Sequence, residues 1–203
     1  TSINCLANNF ADDDLAILLT AIEGTSVRSL CGLTEGQTVA DFSGQNLGPI
    51  DMKIMAAEYR FQGFIAASVE VVILDGNLIG VPTSVSVKPD ARTGVPINTG
   101  VFAAHNGRWA VVVGDNSGST GDVNMEWLDG SGSSWINHRA LEVVVASRSD
   151  LIEDYSHIQS LGEALSSSKV QTFGLANCKF NPVSLATFVE SVRWAEAAIN
   201  VLT

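Results

Sequence analysis

A chain of 203 residues with 46% hydrophobic content is long enough to bury a substantial core and too apolar for intrinsic disorder. Its net charge of −11, from 22 acidic against 11 basic residues, disfavours nucleic acid and anionic membrane surfaces and favours other proteins with basic surfaces as partners. No apolar run reaches the roughly 18 residues of a membrane span, which leaves only peripheral association with a membrane complex.

Ile3, Cys5, Asn8 and Phe10 open the chain in the spacing apolar-x-apolar-x-x-polar-x-apolar. Two apolar residues two apart point to one side of a short strand, and the polar residue three later falls at a turn, where it can bond the backbone of an adjacent turn. Thr1 to Phe10 therefore read as part of a structural unit rather than as a signal or transit peptide. Asp12-Asp13-Asp14 then lead into a helix from Leu15 to Ile22, whose N-terminus their carboxylates complement and cap; as a metal site they lack a second ligand cluster. Gly24 ends that helix, and Ser26 to Gly36 reads as a long connection containing Cys31-Gly32-Leu33.

The spacing returns at Ala40, Phe42, Gln45 and Leu47, then at Val72, Leu74, Asn77 and Ile79, and finally at Phe173, Leu175, Cys178 and Phe180. Pro49 opens a helix after the second unit, running from about Ile50 to Phe61 and burying Ile50, Ile54, Met55 and Tyr59. The third unit is followed by no helix. Val81-Pro82 instead begins about 65 residues rich in Gly, Ser, Asp and Trp, and helical pattern resumes at Ser149–Tyr155, continuing to about Leu165. Removing that insert restores a spacing of about 35 residues, close to the other units. The fourth unit leads into a helix from about Pro182 to Ala198, with Val183, Leu185, Phe188, Val189, Val192 and Trp194 at its apolar positions. Ala198 to Thr203 reads as the start of another strand, so the chain is expected to be a mature or partial piece of a longer repeat protein.

Within the insert, five strands are expected at Thr83–Lys88, Gly100–Ala104, Trp109–Val113, Val123–Leu128 and Ser134–Asn137, with Ala140–Val144 closing. Turn signals separate them at His105-Asn106-Gly107, Asp115-Asn116-Ser117-Gly118 and Asp129-Gly130-Ser131-Gly132. Val123, Met125 and Trp127 alternate with Asp122, Asn124 and Glu126, as a half-buried strand should.

The four units resemble leucine-rich repeats of the ribonuclease-inhibitor-like class. The stretches Ser29–Leu33, Ala40–Pro49 and Gly174–Phe180 are similar to blocks in leucine-rich repeat proteins of unicellular algae. The insert resembles SH3-like barrels, through Gly107–Val112, Asp122–Gly130, Trp135-Ile136 and Ala140-Leu141-Glu142. Together these imply an α/β fold: a short solenoid of parallel strands and helices over residues 1–80 and 147–203, interrupted by an all-β barrel over 81–146. Such barrels bind peptides through aromatic grooves, which makes Trp109, Trp127 and Trp135 a candidate surface, with Trp109 and Trp127 also readable as core.

Cys5, Cys31 and Cys178 form no C-x-x-C pair, and two of them occupy repeat positions. They read as reduced thiols in a reducing compartment; the algal resemblance adds the chloroplast as a location. His105, His138 and His157 are scattered, and no phosphate-binding loop, dinucleotide fingerprint or nucleophile elbow is present, so neither cofactor, metal nor catalytic activity is expected. An enzyme would need a polar pocket near Asp75, Asn77, His138 and Arg139. The expected function is a non-enzymatic interaction scaffold, a subunit or docking part of a larger assembly, with Asn4, Leu6, Asp41, Ser43, Val71, Ile73, Asp75 and Thr172 outward on the strand face. The alternative is a peptide reader acting through the barrel, supported by the repeats.

Overall fold

A computed structural model describes residues 1–8, 10–60, 68–116 and 118–203. The chain divides into two compact units: Thr1–Val81 with Tyr155–Thr203, and Pro82–Asp154. No helix among the described residues is long and apolar enough to cross a membrane.

The first unit is built on four short parallel strands, β1 (Val39–Asp41), β2 (Val71–Ile73), β10 (Thr172–Gly174) and β11 (Val201–Leu202), in the order β1-β2-β10-β11. Ala40, Val72 and Phe173 share one register row and are buried, because alternate residues of a strand face one side. Val201 and Leu202 pair with Thr172 and Phe173, so the closing residues do form a strand. Helices α2 (Pro49–Arg60), α3 (Ser156–Leu165) and α4 (Pro182–Ser191) pack in sequence behind the sheet. Ile54 and Met55 of α2 are fully buried, whereas Ile50 and Tyr59 are half-buried; the expected end at Phe61 lies outside the described residues. Helix α1 (Asp12–Ile22) is capped by Asp14, whose Oδ2 accepts the Ala11 N–H at 2.7 Å.

The polar turn position works as its chemistry requires in the third unit. Asn77 is fully buried; its Oδ1 accepts from Leu47 N at 2.9 Å, and its Nδ2 donates to Phe42 O (2.9 Å) and Leu74 O (2.7 Å). One side chain thereby ties the turn after β1 to the turn after β2. Cys178 is buried in the corresponding place, its Sγ 3.1 Å from Leu74 O, but Gln45 is exposed.

Three expectations need correction. Residues 28–33 are not a loose connection: Leu30, Cys31 and Leu33 are buried, and the backbone of residues 28–32 bonds residues 1–5, so the opening segment pairs there rather than with β1. Leu151–Glu153 is strand β9, not helix, and α3 starts only at Ser156. The Asp150 carboxylate accepts Ser147 N at 3.0 Å and closes a single 3-10 turn. Helix α4 ends at Ser191, where Val192 turns extended and Arg193 N donates to Ser166 Oγ at 2.8 Å; of its apolar positions only Phe188 and Val192 are buried.

Glu58 of α2 has no exposed surface, and its Oε2 accepts the Leu30 N–H at 2.5 Å, which pins residues 28–33. Burial pushes its carboxyl above the ordinary 4.5, against hydrogen bonds from Leu30, Ser29 and Cys31 that pull it down. The folded state therefore holds this proton more tightly than the unfolded chain. The stability it contributes is fully present below the unfolded pKa and is lost as pH rises through the higher folded value. Glu58→Gln should flatten that decline, read as the difference between wild-type and variant urea midpoints from about pH 4 to about pH 8.

The second unit is a five-stranded antiparallel sheet of order β7-β6-β5-β4-β8, comprising β4 (Phe102–His105), β5 (Arg108–Asn116), β6 (Asp122–Trp127), β7 (Ser133–Asn137) and β8 (Val143–Val145). Four strands meander, and after a 3-10 turn at His138–Ala140 the fifth returns to pair with the first. Val101, Ala103, Ala110, Val112, Val123, Met125, Trp127 and Val144 form its core. The strand expected at Thr83–Lys88 is β3 (Val85–Val87), and it lies outside this sheet, pairing with β9 (Leu151–Glu153). Pattern marks a segment as extended without stating its partner, and β3 and β9 found each other.

Candidate functional site

On the first unit, the outward residues of the parallel strands line up as rows. Val39, Val71, Thr172 and Val201 form one row, with Val39 50% and Val201 43% exposed and the two between them half-buried. Asp41, Ile73 and Gly174 form the next. Asp41 is exposed, and hydrogen bonds from the Ser43 side chain and backbone hold its carboxyl below the usual range, so it is a fixed anion at neutral pH. Ser43 is exposed beside it. Asp75 is half-buried, and its Oδ1 accepts Ala176 N at 2.9 Å; a methyl on Gly174 would sit 2.8 Å from that oxygen, so glycine makes room for the carboxylate.

Asn4 and Leu6 do not join these rows. Asn4 is bridged to Cys31 and turns its Oδ1 to Leu6 N at 3.0 Å, while Leu6 is buried in the core. The reason is the insertion of residues 28–33 beside the opening segment. The adjacent apolar pair Leu30-Cys31 was the available signal, but it does not fit the repeat spacing.

The second unit separates its three tryptophans. Trp127 is buried, its Nε1 donates to Ser134 Oγ at 3.3 Å, and Arg108 covers the ring with its Cζ 4.2 Å from the centroid. Arg108 is held there by Asp129 at 2.8 Å and by Ser131 Oγ. Trp109 is half-buried and lines a cleft of about 180 Å³ with residues 82–85, Leu128 and Asp129. Trp135 is 59% exposed on the outer face of β7. Its partner across the ladder is Asn124, which in turn pairs with Gly114 beside a bulge in β5. A methyl on Gly114 would meet the indole Cη2 at 3.6 Å, so the ring reaches from β7 across β6 to β5 and rests on the sheet. The Ser and Gly residues around Trp135 carried the signal for its exposure; the glycine that completes the floor of this face was not recognisable without the register.

The histidines, Asp75 and Asn77 are engaged with backbone. Each histidine bonds a carbonyl: His105 to Ala140 O, His138 to Gly121 O and the fully buried His157 to Ile79 O, at 2.9, 2.8 and 2.9 Å. Asn77 and Asp75 are committed as described, and Arg139 N is bonded to Asn137 Oδ1 in the 3-10 turn. Among the described residues no three His, Cys, Asp or Glu side chains converge as metal ligands. Cys5, Cys31 and Cys178 are unpaired and buried, and burial raises the pKa of each thiol.

No protein-family model, curated protein or solved structure matches this chain.

Proposed function

We propose that this chain is a protein-interaction module of leucine-rich-repeat type with an inserted SH3-like barrel, and that the barrel recognises a partner segment on the face around Trp135. The exposed indole carries this reading. A tryptophan that is 59% exposed while laid on a glycine floor presents a large, rigid apolar face to solvent, the kind of residue that dominates binding energy at interfaces. The repeat reading draws support from the shared register of β1, β2 and β10 and the Asn77 bonds between coils. The barrel reading draws support from a fifth strand that returns to the first.

A second reading, a scaffold that docks through the outward row of the parallel sheet, is favoured by the exposed Val39 and Val201. Affinity capture with three forms of the chain separates the two. Proteins retained by wild type and by Val71→Asp but lost with Trp135→Ala assign docking to the barrel; the opposite pattern assigns it to the sheet. Because the ring is largely outside the core, Trp135→Ala should change folding stability by no more than about 0.5 kcal/mol in urea titration.

A further inference from the structure

The Trp135 face has a charge pattern of its own. Asp122 and Glu126 lie two residues either side of Asn124 on β6, opposite Asn137 and Ser133, so both carboxylates share the outer face with Trp135. As diagonal neighbours they stand roughly 7–8 Å from it, within reach of a group lying over the ring. Neither makes an ion pair among the described residues, whose bridges engage Arg60, Arg108, Arg148 and Arg193 with other acids. Val113, at the bulge beside Gly114, is an exposed apolar residue. Asn124 Oδ1, shielded from solvent, has no hydrogen-bond donor among the described residues.

We infer that this face takes a basic peptide segment, with a Lys or Arg side chain stacked on the solvent side of Trp135 and its cation between Asp122 and Glu126. The inference rests on the reading that the barrel recognises a partner segment, and it names that segment's chemistry. An indole face is the negative end of the ring quadrupole and attracts a cation. Two unpaired carboxylates strengthen that attraction and repel acidic segments, as does a chain carrying −11 overall. The same unit already builds this contact internally, where Arg108 lies 4.2 Å over Trp127 and pairs with Asp129. Around Trp135 the ring and the acids are in place and the cation comes from the partner.

Selection of a random displayed peptide library on the full chain, in parallel with Trp135→Ala, tests this. Sequences that need Trp135 should be enriched in Lys or Arg. In titrations followed by tryptophan fluorescence, replacing that residue with norleucine should weaken binding about three- to thirty-fold. The double variant Asp122→Asn, Glu126→Gln should weaken it comparably while reducing the loss of affinity between about 0.05 and about 0.5 M salt. Trp135-dependent sequences without a basic residue would overturn the inference while leaving recognition by this face intact. A selection that yields no Trp135-dependent sequence overturns both, provided circular dichroism shows the variant folded.

Discussion

Gly80→Ala should cost the first unit about 3–5 kcal/mol, the largest loss expected of a methyl added at any of the described glycines. A Cβ on residue 80 would lie 2.4 Å from both the N and Cα of Phe180 and 2.5 Å from the carbonyl carbon of Lys179. These are backbone atoms, so no rotamer change relieves the overlap. The segment 178–180 must move away, and with it the Gly80 N–H bond to Cys178 O at 2.8 Å, the edge-on contact of Phe180 with Phe188 and the stacking of Phe173 on Phe188. Gly48 supplies the control. It follows Leu47 as Gly80 follows Ile79, yet a methyl there meets nothing within 4 Å. Gly48→Ala should therefore stay within about 1 kcal/mol. Urea unfolding of both variants, read together with hydrogen exchange at the Gly76 and Gly80 amides, checks the pair; equal effects would mean that the two coils do not meet at the backbone.

The same pair of glycines shows what was legible in the sequence. Strands β1, β2 and β10, and the opening of β11, were readable because each places apolar residues two apart, and the next turn supplies the residue that ends them. That information is local and survives in the chain. Which segment lies against which is not local. Residues 28–33 carry apolar side chains out of the repeat spacing and still occupy a core position beside residues 1–5, held by the Glu58 carboxylate from a helix 28 residues later. Leu151–Glu153 is too short for periodicity to separate helix from strand, and it was decided by pairing with Val85–Val87. For the candidate sites, alternation in β6 showed which residues face outward, and the Ser/Gly surroundings of Trp135 pointed to its exposure. The glycine floor and the flanking carboxylates emerge only from the register of three strands. Trp127 illustrates the converse: its aromatic face, legible as a candidate surface, is taken by Arg108 from the neighbouring strand.

Asn77→Ala is expected to destabilise the first unit by roughly 3–5 kcal/mol, because it strands two buried backbone groups at once and leaves a third with only a thiol. Leu47 N loses its acceptor, and Phe42 O loses the amide that reached it from the next coil; Leu74 O keeps only the Cys178 thiol at 3.1 Å. None of these sites has room to relax outward, since Leu47, Phe42 and Leu74 are themselves buried. Asn77→Asp distinguishes hydrogen bonding from packing. The carboxylate preserves shape but brings a charge against two carbonyl oxygens at neutral pH, so this variant should be at least as unstable as alanine there and should recover part of the loss as pH falls and a proton restores one donor. Cys178 tests the repeat logic itself. Its thiol fills the equivalent position with only weak contacts to Leu74 O and Ala176 O, so Cys178→Ala should cost about 1–2 kcal/mol. A larger loss at Asn77 than at Cys178 means that the amide holds adjacent coils together by satisfying their backbone; equal losses mean that side-chain volume alone does so, and that the polar residue of the repeat spacing serves the turn rather than the stack.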